Sequence, residues 1–416
     1  MSDPSEPEHG DEPDDGELPG EIRVHHPRRA LPTDVVRPTR AEVRLSALRY
    51  NLGQLRKVTG RTPIWGVLKA DAYGLGSKAV ARTLERAKMD GVCVALVEEG
   101  IELRQAGIRL PILVMGGYYG DALRELLEFR LTPVLSDVGQ VEALARAVRF
   151  GQERPFGCHV KVDTGMARLG TRHEGWPRLI EALAERPELS VQGLMSHLAN
   201  ADVGEKDALG EPLSLFNQAH TQFVQGGVVP ASRHLANSAA LLRDARTHFD
   251  LVRPGLALFG VDPCPPLVDR AGGAGEVRFK PAMSVLSRVV TLRQLQKGDG
   301  VGYGGTYKAP GPSWIATVPM GYADGLSRAL SNRGHALVRG QRVPIVGNIS
   351  MDMTMVDVSQ VPGASVGDEV VFLGSQAGPL GHDTITAEEV ARHAGTIPWE
   401  VLTNISRRVP RFYRED

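Results

Sequence analysis

The feature that most constrains the fold is an alternation that begins near residue 60, in which short β-branched runs are each followed by a stretch of helical periodicity. The runs fall at 64–68, 92–96, 111–115, 131–135, 159–162, 191–195, 234–236 and 251–259. Between them, the stretches 98–106, 141–148 and 178–185 repeat apolar residues at three- and four-residue steps and carry charges on the other face. Apolar strands covered by amphipathic helices make a parallel sheet. Eight such units over about two hundred residues match a (β/α)8 barrel. A doubly wound open sheet is the alternative that the pattern leaves open.

Beyond the Pro- and Gly-rich segment 262–276, the helical period gives way to apolar–polar alternation with turns, at 284–292, 315–319, 343–346 and 369–373. The expected fold class is therefore α/β: an N-terminal TIM barrel over residues 37–275 and a C-terminal mainly β domain over 276–416, with one late helix near 387–394. Residues 1–30 are expected to be a disordered acidic tail. The first 21 residues hold nine carboxylates, no Lys or Arg and almost no large apolar side chain, so burial cannot offset the entropy of ordering them.

Charge and composition exclude several classes. The chain has 48 Lys and Arg against 49 Asp and Glu, and without its acidic start it is mildly basic, which suits an anionic ligand. No cationic cluster is interleaved with aromatics, so no nucleic-acid partner is expected. No apolar run is long enough for a bilayer and no secretory signal opens the sequence, so no membrane partner is expected and the expected location is cytoplasmic. Cys93, Cys158 and Cys264 are odd in number and far apart, unlike a disulfide or zinc framework.

In a parallel barrel, functional residues gather at the C-terminal ends of the strands. Here those ends carry Lys69 and Tyr73; Lys161, Asp163 and Arg168; Ser196 and His197; Asn237 and Ser238; and Arg253, Pro254 and Gly255. A partly desolvated strand-end lysine has a lowered pKa and a nucleophilic amine, suited to an aldehyde cofactor. By itself Lys69 reads more often as a lysine reaching solvent. Asn237-Ser238 and Arg253-Pro254-Gly255 lie where barrels often hold a phosphate, although each alone is more often a turn or a helix cap. No metal is expected at these positions, because the carboxylates do not cluster and His159, His197 and His234 lie on different strands. No dinucleotide or P-loop fingerprint occurs.

Val67-Leu68-Lys69-Ala70-Asp71-Ala72-Tyr73-Gly74 resembles the cofactor-lysine segment of the pyridoxal-phosphate-dependent alanine racemases. The stretch from His159 to Gly170, the segment His234-Leu235-Ala236-Asn237-Ser238, Arg253-Pro254-Gly255, Gly302-Tyr303-Gly304, Gly321-Tyr322-Ala323-Asp324 and Ser350-Met351-Asp352 continue the resemblance over about residues 37–412. It implies an isomerase that interconverts L- and D-alanine with pyridoxal 5'-phosphate and supplies D-alanine for peptidoglycan. Lys69 would hold the cofactor and serve as base on one face, with Tyr303 as base on the other.

By the same resemblance, Tyr73, Ser238 and the Gly255 amide would hold the phosphate, and the adjoining Asn237 and Leu256 would also bind the cofactor. Arg253 would face the pyridine nitrogen, His197 would stack on the ring, and Arg168 would bond the phenolic oxygen and contact substrate. Lys161 matches a lysine that is carbamylated in some members. Tyr303, Met351 and Asp352 would enter the site from the partner of a homodimer, and Tyr322 would line the entrance. Leu75, Ser350 and Arg407 depart from the family's common residues, which bears on specificity. The alternatives are a broad-specificity amino-acid racemase, a decarboxylase of the same architecture, which would generally place a cysteine where Tyr303 stands, and a non-catalytic cofactor-binding protein, which would lack the β domain.

Overall fold

The computed structural model describes residues 36–150, 155–203, 208–264 and 277–415. The expected tail and most of the linker lie outside the described residues. Strand β1 is Arg40–Arg44, and the barrel strands follow as β2 (Trp65–Val67), β3 (Gly91–Val94), β4 (Ile112–Val114), β5 (Thr132–Leu135), β6 (Phe156–Lys161), β7 (Leu189–Met195) and β8 (Arg233–His234). Strands β2 to β8 pair in chain order, all parallel. β3 and β4 are buried at every residue, which is why they read as unbroken apolar runs.

The run from 251 onward closes the ring without forming a regular strand. The amides of Trp65 and Val67 donate to the carbonyls of Val252 and Pro254, both at 2.9 Å, and those of Asp250 and Arg253 donate to Arg233 and Ala236, both at 3.0 Å. Pro254 has no N–H with which to extend the ladder. Leu256–Phe259, expected within this run, instead form a 3-10 turn. The three expected helices occur as Val97–Gln105, Val138–Phe150 and Trp176–Ala184.

The second domain holds β9 (Met283–Arg288), β10 (Thr291–Leu295), β11 (Gly300–Val301), β12 (Tyr307–Lys308), β13 (Ser313–Val318), β14 (His335–Val338), β15 (Gln341–Pro344), β16 (Thr354–Asp357), β17 (Glu369–Gly378), β18 (Gly381–Ile385) and β19 (Arg411–Arg414). Its main sheet runs β15-β14-β17-β9-β1-β19, with β18 on β17. Residues 40–44, which the sequence places with the barrel, thus pair in this sheet, antiparallel to β9 and parallel to β19. They alternate buried Ala41 and Val43 with charged Arg40, Glu42 and Arg44, the half-buried pattern of a sheet with one solvated face. The expected run 284–292 is divided between β9 in this sheet and β10 in a three-stranded sheet with β13 and β16.

The late helix occurs as Ala387–Ala394, capped by the Thr386 hydroxyl, and a second short helix, Pro398–Thr403, follows. This domain grips the barrel beside Lys69. Arg411 Nε donates to the Gly74 carbonyl at 2.9 Å, and Tyr413 Oη donates to that of Leu75 at 3.2 Å. A Cβ on Gly74 would stand 2.5 Å from the Leu402 carbonyl oxygen, so only glycine allows this approach. Among the described residues, no helix is long and apolar enough to cross a membrane.

Candidate active site

Lys69 follows β2 and opens a turn of unusual hand. Ala70, Asp71, Ala72 and Tyr73 have φ of 52°, 53°, 55° and 56°, one left-handed turn built without glycine. Each such residue costs about 1–2 kcal/mol, so neighbours must hold it. The Gly74 amide donates to Ala70 O at 2.9 Å, the Gly76 amide to Asp71 O at 2.8 Å, and the Ser77 amide to Asp71 Oδ1 at 2.6 Å.

Glu99, not singled out in the sequence, supplies a further hold. Its Oε1 accepts the Ala70 amide at 2.5 Å, and its Oε2 accepts the amides of Ala95 and Leu96 at 2.8 and 3.2 Å. The one carboxylate therefore caps helix Val97–Gln105 and ties it to the Lys69 turn. An acidic residue in a helix's first turn was the only available signal. Leu75 is fully buried in the core, so the Gly74-Leu75-Gly76 segment is a packed element.

Cations gather around Lys69. Burial and then Arg168 lower its pKa, with Glu99 acting in the opposite sense. Lys161 is held down to about 8 by burial and by Arg168, Arg253 and Lys69, against Asp163. Burial and these same cations push His197 down to about 3, so its ring is neutral. The Asp163 carboxylate accepts the amides of Gly165, Met166 and Ala167 at 2.9 to 3.1 Å, shaping the loop that carries exposed Arg168.

Arg253 is 2% exposed, and its pKa falls to about 10 through burial, so it stays charged at neutral pH. Its Nη1 donates to His234 Nδ1 at 2.5 Å, and Nη2 donates to the carbonyls of Ser196 and Leu235 at 2.7 and 3.3 Å. A guanidinium only donates, so His234 carries its proton on Nε2 and donates it to His159 Nδ1, 2.7 Å away. Burial and Arg253 keep both imidazoles neutral. The Nε–H of Arg253 is left for a further acceptor.

At the other end, the Ser238 hydroxyl oxygen accepts the amides of Gly255 and Ala257 at 2.9 and 3.3 Å, leaving its proton to donate. A Cβ on Gly255 would stand 2.3 Å from Tyr73 Oη, and the Tyr73 ring packs on Phe259 with centroids 4.8 Å apart. Burial raises the Tyr73 pKa, keeping the phenol a neutral donor. Leu256 opens the 3-10 turn, whose first amides lack partners within it. The Asn237 side chain is committed to the Ala240 amide at 3.0 Å as a helix cap.

The remaining expected residues lie together on the β domain. Tyr303 is 76% exposed, Met351 52% and Tyr322 42%. Asn348 Nδ2 donates to Tyr303 O at 2.9 Å, the Tyr322 amide to Ser350 O at 3.0 Å, and the Ala323 amide to Met351 O at 3.0 Å. Asp352 pairs with Arg408 at 2.6 Å. Ser350 Oγ bonds the backbone of Met353 within its own turn. Among the described residues, no hydrogen bond, ion pair or ring contact joins this patch to the Lys69 cluster within one chain. The fold thus presents two separate groups, a barrel mouth and an exposed patch.

A strand-end amine of lowered pKa, a cradle of hydroxyls and amides closed by Gly255, and a buried donor from Arg253 fit an aldehyde cofactor bearing a phosphate and a ring nitrogen. Comparison with known proteins agrees. The family model for the alanine racemase N-terminal domain matches residues 43–263, and that for the C-terminal domain matches 282–413. The alanine racemase of Sorangium cellulosum is 57% identical over 386 residues, spanning 91% of this chain and 100% of that protein. The structure of alanine racemase from Streptomyces coelicolor superposes with a TM-score of 0.85 at 35% identity, over 92% of this chain and 100% of that one. That of Bartonella henselae, with covalently bound pyridoxal phosphate, gives 0.80 at 29% identity over 91% and 99%. With both domain models matched and the barrel mouth built for this cofactor, the chain belongs to the pyridoxal-phosphate-dependent alanine racemase family.

Proposed function

We propose that this chain interconverts L- and D-alanine as a homodimer, supplying D-alanine for peptidoglycan, with Lys69 of one subunit and Tyr303 of the other as the two acid–base groups. The carrying observation is the division of the site: the cofactor-holding residues converge at the barrel mouth, while Tyr303 stands 76% exposed on the other domain. Racemisation removes a proton from one face of Cα and delivers one to the other, and two groups on opposite faces meet that need where one fixed base does not. Pyridoxal phosphate, when bound, withdraws electrons from Cα and makes its C–H bond acidic.

Lys69 Nζ takes or returns the proton on one face, and its lowered pKa enlarges the neutral fraction able to act as base. Tyr303 Oη does so on the other. Tyr73, Ser238 and the amides of Gly255 and Leu256 hold the phosphate, Arg168 and His197 hold the ring, and Arg253 Nε–H faces the ring nitrogen. Arg253 can donate but not accept, so it keeps that nitrogen unprotonated and moderates the electron withdrawal. Met351 and Asp352 border the substrate, and Tyr322 lines the entrance. Lys161, with its pKa near 8, has a neutral amine available to add to carbon dioxide: the N–C bond forms, one C=O pair moves onto oxygen, and the nitrogen releases a proton. The carbamate replaces a cation by an anion that steadies Arg168.

The direct test is chiral chromatography of L- and D-alanine incubated with the cofactor-loaded protein, beside a panel of other amino acids. Formation of each alanine enantiomer from the other supports the assignment; no product from any amino acid despite bound cofactor overturns it. Broader specificity is the second reading. Exposed Arg407, next to the Arg408 that holds Asp352, favours it, and racemised serine or lysine in the panel would establish it.

A further inference from the structure

We propose that the β domain carries a site for one transition-metal dication of the zinc class, formed by His335, Glu389 and His393. His335 opens β14, while Glu389 and His393 are four residues apart on helix Ala387–Ala394 and so share one face. Each offers one ligating atom, and the three atoms lie within 4.8 Å of one another. Two imidazoles and a carboxylate are a zinc donor set. Tetrahedral zinc with bonds of about 2.0–2.2 Å needs ligand atoms roughly 3.3–3.5 Å apart, so binding would draw the three atoms closer together.

Two further observations point to a ligand here. His335 Nδ1 is shut off from solvent and has no hydrogen-bond partner, and a buried polar atom without a partner marks a missing one. The histidines are also not explained by ion pairing, because among the described residues no ion pair joins either imidazole to Glu389. Its partner is Arg342, whose Nη1 holds Oε1 and leaves Oε2 for a cation. Arg342 is anchored in turn by Asp383, at 2.9 and 3.3 Å, and by the Thr384 carbonyl at 2.9 Å. Its charge is thus shared between two carboxylates, and it fixes the orientation of Glu389 as outer residues do around metal ligands.

None of these residues belongs to the Lys69 cluster or to the Tyr303 patch, so the site is structural: the ion would tie β14 to the helix. The test uses the cofactor-loaded full chain, stripped with a chelator and titrated with Zn2+ by calorimetry and with Co2+ by visible absorption in phosphate-free buffer. The expected result is one equivalent per chain, tetrahedral Co2+ bands and a raised Tm. Affinity should fall by at least about tenfold in both His335→Ala and His393→Ala, with racemisation unchanged. His393 lies on a half-exposed helix face, so that variant serves even if His335→Ala fails to fold. Absence of saturable binding, or equal affinity in the wild type and His393→Ala, overturns the proposal.

Discussion

Substituting Gly255 by alanine isolates the phosphate cradle from every other part of the site. Its φ of −117° is negative, outside the left-handed region that favours glycine, and the effect expected of a new Cβ is a steric one. The new Cβ would meet Tyr73 Oη at 2.3 Å and Cζ at 3.0 Å, against a ring that is pinned on Phe259 and nearly fully buried. Overpacking of this kind costs about 1–3 kcal/mol. If the strain is relieved by displacing the phosphate contacts, cofactor affinity falls roughly 5- to 150-fold. Tyr73→Phe removes the clashing oxygen along with one hydrogen bond, itself about 0.5–1.5 kcal/mol. In the double variant the clash is largely gone, so its loss should be smaller than the sum of the single losses. Equilibrium dialysis of pyridoxal phosphate against the four proteins gives the cycle. Unchanged affinity in Gly255→Ala, or strict additivity, refutes the geometry assigned to the cradle.

Other expectations follow from the same contacts. Glu99→Ala frees the amides of Ala70, Ala95 and Leu96, so amide exchange over residues 69–76 should accelerate and turnover should drop, with Glu99→Gln intermediate; an unchanged exchange rate would remove Glu99 from its positioning role. His159 is held near 3 and His234 well below 6.5. Unfolding therefore takes up protons below about pH 6.5, and these residues make stability highest above that pH and lower as pH falls toward 3. Urea unfolding at pH 7.5, 6.0 and 5.0 should show this decline, and His159→Gln should flatten it; a slope identical in the variant contradicts the assignment. With 13C-labelled carbon dioxide, the wild type should show a carbamate carbon resonance that Lys161→Ala lacks, and a resonance retained in the variant would place the modification elsewhere.

The barrel was legible because strands buried on both faces write unbroken apolar runs, and the chemistry was legible because a barrel collects it where those runs end. Other features depended on partners remote in the chain. Strand β1 pairs Ala41 with Arg411 and Val285, and five residues of alternation do not say which sheet they join. The left-handed turn at 70–73 contains no glycine, so its strain is paid through Glu99, Asp71 and the packing of Leu75, none of them visible from neighbouring residues. The chain from Arg253 through His234 to His159 joins the irregular run after residue 251 to β8 and β6, and its order depends on register across the barrel. Asn237 shows the converse: the motif offers it to the cofactor, and its side chain is consumed in capping.

If each active centre draws Lys69 from one chain and Tyr303 from its partner, mixing the subunits of two inactive variants restores activity. Lys69→Ala and Tyr303→Phe proteins should each be nearly inactive. Dissociated and reassociated in equal amounts, half of the dimers are mixed, and each holds one centre with both residues intact, so about a quarter of wild-type activity should return. If both residues acted within one chain, every centre in every dimer would lack one of them. Failure of activity to return, with mixed dimers shown to be present, would contradict the account.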